Sequence, residues 1–192
     1  GPFTLSGCAT TSDERLGWFC QADLSANGLQ ASSLRSLDAR GQLRSGNTDW
    51  ALRPTASELM EIRVRWPLAR SVLERERASV RFRMSREVVQ GEQRQLQLIG
   101  PGSTLVAGGS WSGGTLHELA ISGAQLETVL QRSAPLSLRL VNRAGAVRAE
   151  SAVEPALFSR GLELARQADG RALARSTDFQ RQCEREQRIA PT

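Results

Sequence analysis

The sequence predicts a mainly β protein with C-terminal helices, of the α+β class: an antiparallel β-sandwich or partly closed barrel. Three observations carry this. Residues 59–66 and 79–86 alternate apolar and charged side chains with a period of two (Met60, Ile62, Val64, Trp66; Val80, Phe82, Met84). Turn-forming Gly, Pro, Asn and Asp recur between such stretches. After residue 122 the apolar spacing becomes helical. The chain has 192 residues, 40% of them hydrophobic and 23% charged. That suits one folded domain, which hides roughly 70% of its unfolded surface.

In chain order, residues 17–23 (Gly-Trp-Phe-Cys-Gln-Ala-Asp) form a first strand. Residues 29–45 hold two strand pieces around the turn Asp38-Ala39-Arg40-Gly41. Strand 59–66 stops at Pro67, and a charged Glu74-Arg75-Glu76-Arg77 crossing leads to strand 79–86. Residues 93–99 alternate again before the turn Gly100-Pro101-Gly102, and 103–107 and 115–121 are strands around a glycine-rich loop. Ser122-Gly123-Ala124-Gln125 has the form of a capping box, opening a helix of about two turns with Leu126, Val129 and Leu130 on one face. Leu136, Leu138 and Leu140 form a strand that turns at Asn142-Arg143-Ala144-Gly145 and returns over 146–152. Pro155 starts a helix with Leu157, Phe158, Leu162 and Ala165 inward. A last helix over 171–188 points Ala172, Phe179 and Cys183 inward.

The segment Leu5-Ser6-Gly7-Cys8 resembles a lipobox, the end of a bacterial lipoprotein signal peptide. Small residues around the cut suit an extended backbone in the peptidase, and the Cys8 thiol then takes the lipid. This resemblance implies loss of residues 1–7, a lipidated polar tether over 8–15, and one periplasmic β-rich domain over 16–192; the other reading of residues 1–7, Gly1-Pro2 above all, is a cloning scar. Ala9 after the cysteine follows the sorting pattern for the periplasmic face of the outer membrane. Each buried acyl methylene is worth ~0.8 kcal/mol, so a multiply acylated Cys8 anchors stably. No apolar run approaches the ~20 residues of a membrane-spanning helix.

With Cys8 lipidated, Cys20 and Cys183 remain. In an oxidising compartment an even pair reads as a disulfide, Cys20–Cys183, worth ~4–5 kcal/mol for so long a loop; two buried thiols are the other reading. The order helix, strand, Gly turn, strand, helix over 122–166 resembles the invasion-associated locus B type of periplasmic sandwich, from which no site residue is carried over.

Several chemistries are excluded. All 25 basic residues are arginine, so P-loops, Ser-Lys dyads and Schiff bases have no lysine to use. One histidine rules out His-based metal centres, and no cofactor is expected. A serine hydrolase would need His117 as base, but Gly109-Ser110-Trp111-Ser112-Gly113 departs from a nucleophile elbow by placing tryptophan at its centre. His117 is expected on the wet side of its strand. A pair of carboxylates for sugar cleavage needs only two acids ~5–10 Å apart, yet without tyrosine few aromatic platforms remain. Glutamates interleave with the arginines, which disfavours nucleic acid.

Two surfaces are left as binding candidates. Trp111 sits on a glycine-rich loop and suits contact with a sugar or protein. Arg63 and Arg65, with Arg81 and Arg83, line the wet faces of the two clearest strands and form an anion-gripping patch if those strands are neighbours. Codon usage in a GC-rich genome also accounts for the arginine content, and a solvated face offset by glutamates for the patch. The expectation is a non-enzymatic, lipid-anchored envelope protein that binds a protein partner in a secretion, pilus or export machine. The alternatives are arginine-face binding of lipopolysaccharide or polysaccharide, and, third, a small hydrolase.

Overall fold

In the computed structural model the described residues are 3–10, 17–53, 60–67, 73–87 and 89–189. Their elements run β1 (Phe3–Thr10), β2 (Trp18–Ala26), β3 (Leu29–Leu37), β4 (Leu43–Leu52), β5 (Met60–Pro67), β6 (Ser79–Ser85), β7 (Arg94–Ile99), β8 (Leu105–Gly108), β9 (Leu116–Ser122), α1 (Gly123–Leu130), β10 (Leu136–Asn142), β11 (Val147–Val153) and α2 (Ala156–Ile189). The strands form two antiparallel sheets, in the orders β1-β2-β3-β4-β5-β6-β9 and β11-β10-β7-β8. Among the described residues neither sheet closes, so the sandwich form of the predicted class is the one adopted. The chain divides into two compact units, Gly1–Trp50 with Trp66–Val72 and Glu163–Thr192, and Ala51–Arg65 with Leu73–Leu162.

In the first unit, β2 and β3 form a hairpin closed by Asn27 and Gly28, both with positive φ (51° and 79°). That is the backbone a two-residue turn needs to match strand twist. Strand alternation then dictates burial. Trp18, Cys20, Ala22 and Leu24 point inward from β2, as do Leu29, Ala31 and Leu37 from β3. Ser33 and Arg35 are in phase with the last three and are buried too. The glutamate-to-terminus part of α2 supplies Ala165, Ala168 and Ala172, all fully buried, and Phe179, whose ring lies 5.4 Å from that of Trp18. Small alanines let the helix backbone come close to its neighbours.

Three expectations change in this unit. A strand, β1, precedes the expected first one, and residues 8–10, assigned to the tether, belong to it. Cys20 is bonded to Cys8, not to Cys183, because β1 and β2 bring Cys8 and Cys20 directly opposite, with Cα atoms 4.0 Å apart. The loop so closed spans 12 residues, which lowers the chain-entropy stabilisation to roughly 3 kcal/mol. The Cys183 side chain lies outside the described residues. Finally, the two expected C-terminal helices are one, 34 residues long, running through Gly170. A helical glycine costs about 1 kcal/mol relative to alanine, which the buried alanine stripe outweighs.

In the second unit the register aligns apolar rows: Ile62, Phe82 and Leu119 across β5, β6 and β9, and likewise Val64, Val80 and Ile121. Leu96, Leu98, Leu136, Leu138 and Leu140 supply the buried face of the other sheet. α1 starts as expected, with the Ser122 hydroxyl accepting from the Gln125 N–H at 3.1 Å. The capping box is only half made, since the Gln125 side chain instead donates to the Val106 carbonyl of β8 at 3.1 Å.

Candidate functional site

β5 and β6 are neighbours, so the arginine patch exists. Arg63 stands directly opposite Arg81, and Glu61 opposite Arg83. Glu61 lies 3.9 Å from Arg63 and 4.0 Å from Arg83, and Glu118 on β9 pairs with Arg83 as well. Arg65 lies on the same face, exposed, one step further along β5. Arg81 is exposed and has no side-chain partner among the described residues. Like charges directly opposite on a sheet face oppose folding. An unanswered guanidinium beside another therefore favours an anion arriving from outside.

Trp111 is half-buried, and its ring is covered by the Arg143 guanidinium, 4.8 Å from the ring centroid. Arg143 is itself held by the Gln93 side chain at 2.8 Å. One ring face is thus occupied within the chain. The glycine-rich loop is pinned by paired backbone bonds between Ser112 and Arg94 and by a Gln95 side-chain bond to the Gly109 carbonyl at 2.6 Å.

His117 corrects the sequence reading. It is in phase with Leu119 and Ile121 on β9 and only 2% exposed, opposite the buried Met84. Neither ring nitrogen has a hydrogen-bond partner among the described residues. Among the described residues His117 therefore makes neither the nucleophile–base nor the base–acid bond of a hydrolytic triad. Burial first, and the nearby Arg94 charge second, push its pKa below the usual histidine range.

Arg94 is also buried. It donates to the Glu87 carbonyl at 2.7 Å and lies 3.4 Å from Glu92. Glu92 accepts from Arg148 and Asn142, both at 2.7 Å, and those bonds in that order hold its carboxyl below the usual range. Among the described residues no three His, Cys, Asp or Glu side chains cluster as metal ligands, and no helix is long and apolar enough to cross a membrane.

The His117 environment gives a pH dependence. The unfolded chain protonates near pH 6.5 while the folded chain resists, so stability falls as pH drops below that point. The loss is at most about 1.4 kcal/mol per pH unit. Urea unfolding at pH 7.0 and 5.5 should show this loss in the native chain, and His117→Met should remove most of it. An equal loss in both proteins would assign the effect elsewhere.

The edges of the β11-β10-β7-β8 sheet differ. Both edge strands carry a register shift against their neighbour, but β8 has only four residues and the Gln125 side chain on its Val106 carbonyl, devices that blunt an edge. β11 has seven residues, mostly exposed, with Val147 half-exposed. Among the described residues no strand pairs with its outer side. Glu150 on β11 is tied back to Ser137 and Arg139 of β10, which holds it below the usual carboxyl range. Compared with known proteins, the chain matches no family model, no curated protein and no solved structure.

Proposed function

We propose that this chain is a non-enzymatic, lipid-anchored protein of the bacterial cell envelope that binds an extended segment of a partner protein along β11. The observation that carries the binding mode is the seven-residue edge strand β11, at the opposite edge of its sheet from the short, blunted β8. Strand addition takes affinity from main-chain hydrogen bonds, and an edge with free N–H and C=O groups offers them. The anchor and the periplasmic address rest on the Leu5-Ser6-Gly7-Cys8 pattern alone. The Cys8 sulfur serves one bond at a time, so lipid there leaves Cys20 as a thiol.

A second reading is an anionic ligand, such as lipopolysaccharide, on the arginine face, favoured by the unanswered Arg81 opposite Arg63.

Photo-cross-linking in living cells separates the two, with a photoreactive residue at Val147 in one strain and at Arg81 in another. The expected result is one envelope protein trapped from position 147, and an acyl-modified Cys8 with an alkylatable Cys20 by peptide mass. Trapping only lipopolysaccharide, and only from position 81, would replace the first reading with the second. An intact Cys8–Cys20 disulfide peptide with no acyl mass would remove the anchor.

A further inference from the structure

A groove of about 270 Å³ lies between α1 and the chain entering β8. Its walls are apolar: Pro101, Leu105, Val106 and Val129. Leu105 is 54% exposed, a large apolar side chain left facing water. Two further polar residues line the same groove, Arg132 and Thr104. Neither side chain has a partner among the described residues, whereas the other polar side chains there are engaged, Gln125 on the Val106 carbonyl and Thr128 on the Ala124 carbonyl.

We infer that this groove binds a small aliphatic carboxylate, its chain against Pro101, Leu105, Val106 and Val129 and its carboxylate on Arg132. Pockets for drug-sized ligands run to about 300–1,000 Å³, so this volume suits a short chain. The planar guanidinium takes a carboxylate through two parallel N–H···O bonds, and one cation matches one negative charge. A neutral chain of equal length would fill the walls and leave Arg132 unanswered. None of this depends on β11 or on Cys8.

Octanoate and octanol are the probes, titrated into the full chain and followed by amide chemical shifts. Octanoate is expected to bind with a dissociation constant of about 1 mM, the order set by its roughly ten heavy atoms. It should shift Val106 and Val129, and octanol should bind about tenfold more weakly. Arg132→Met should weaken octanoate about tenfold and leave octanol unchanged.

Arg132 also follows the C-terminus of α1, where a cation stabilises the helix dipole. A purely structural role would lower the melting temperature of Arg132→Met and leave octanoate affinity intact, which would overturn the inference. Gly100 lines the groove with ordinary extended backbone (φ −98°), and a Cβ there would meet Val106 Cγ2 at 3.0 Å and Val129 Cγ1 at 3.8 Å. Gly100→Val should therefore fill the groove and abolish binding of both probes. If that variant does not fold, Val129→Phe serves the same purpose. Equal affinity for octanol and octanoate, or shifts confined to other residues, would also overturn it.

Discussion

Replacing Arg35 by methionine should destabilise the chain by about 3–5 kcal/mol. Arg35 is 5% exposed and donates to Asp169 at 2.8 Å. Asp169, 7% exposed, accepts in addition from the Ser33 hydroxyl at 3.2 Å, and Ser33 shares a 2.9 Å bond with Thr48. Ser33 and Thr48 are fully buried. Methionine keeps the volume of the arginine stem but removes its charge. Asp169 would then be a buried anion with one neutral hydroxyl for company. The penalty comes from that stranded charge more than from the lost attraction. The double variant Arg35→Met/Asp169→Leu should therefore recover most of the loss. Urea midpoints of the wild type, both single variants and the double variant close the cycle. A loss under 1 kcal/mol in Arg35→Met would mean that water reaches the pair and screens it.

Gly123→Ala is expected to destabilise by roughly 2–3 kcal/mol, against the sign that helix propensity gives. Alanine is the better helix former by about 1 kcal/mol. But Gly123 opens α1 with its N–H bonded to the Ala78 carbonyl at 2.6 Å. A Cβ at this position would overlap the Arg75 carbonyl and lie 2.8 Å from that of Ala78. These are backbone atoms, so relief requires moving the helix or the 3-10 turn Arg75–Arg77. Arg75 also holds Glu127 of α1 at 3.1 Å, so the shift would loosen that ion pair as well. The exposed neighbour gives the control: Ala124→Gly should cost only about 1 kcal/mol, as propensity predicts. Thermal unfolding of both variants checks the contrast, and a Gly123→Ala protein as stable as the wild type would show that the turn yields freely.

The sheet elements were legible wherever alternation ran for several residues without a break. Met60, Ile62, Val64 and Trp66 specify β5, and Val80, Phe82 and Met84 specify β6, because period two has one apolar face to bury. The same rule places His117 inside, in phase with Leu119 and Ile121. Its polarity and the apolar Leu116 and Ala120 on the opposite phase pull the reading the other way. Arg35 is the parallel case: its phase with Leu29, Ala31 and Leu37 is visible, but its partner lies 134 residues away. Asn27-Gly28 carries a strong local hairpin signal, and a first strand ended at residue 23 leaves it stranded in a gap.

The choice of Cys8 over Cys183 as the partner of Cys20 depends on strand β1, whose Leu-Ser-Gly-Cys core reads equally as a processing signal. Of the candidate site, the shared face of Arg63, Arg65, Arg81 and Arg83 follows from alternation, but the direct opposition of Arg63 and Arg81 needs the register. The groove under Arg132 has no local signature at all. A turn, a four-residue strand and a helix must meet before it exists.

The first unit draws residues from both ends of the chain, whereas the second is nearly continuous from Leu73 to Leu162. During synthesis at about 5–20 residues per second, Arg35 emerges roughly 7–27 seconds before Asp169, 134 residues later. The β2–β3 hairpin must spend that interval with its inward arginine unanswered and its apolar row uncovered. The second unit meets no such delay. The newborn chain is then half finished and half waiting, and a chaperone or protease that recognises this protein has its longest opportunity at residues 18–37.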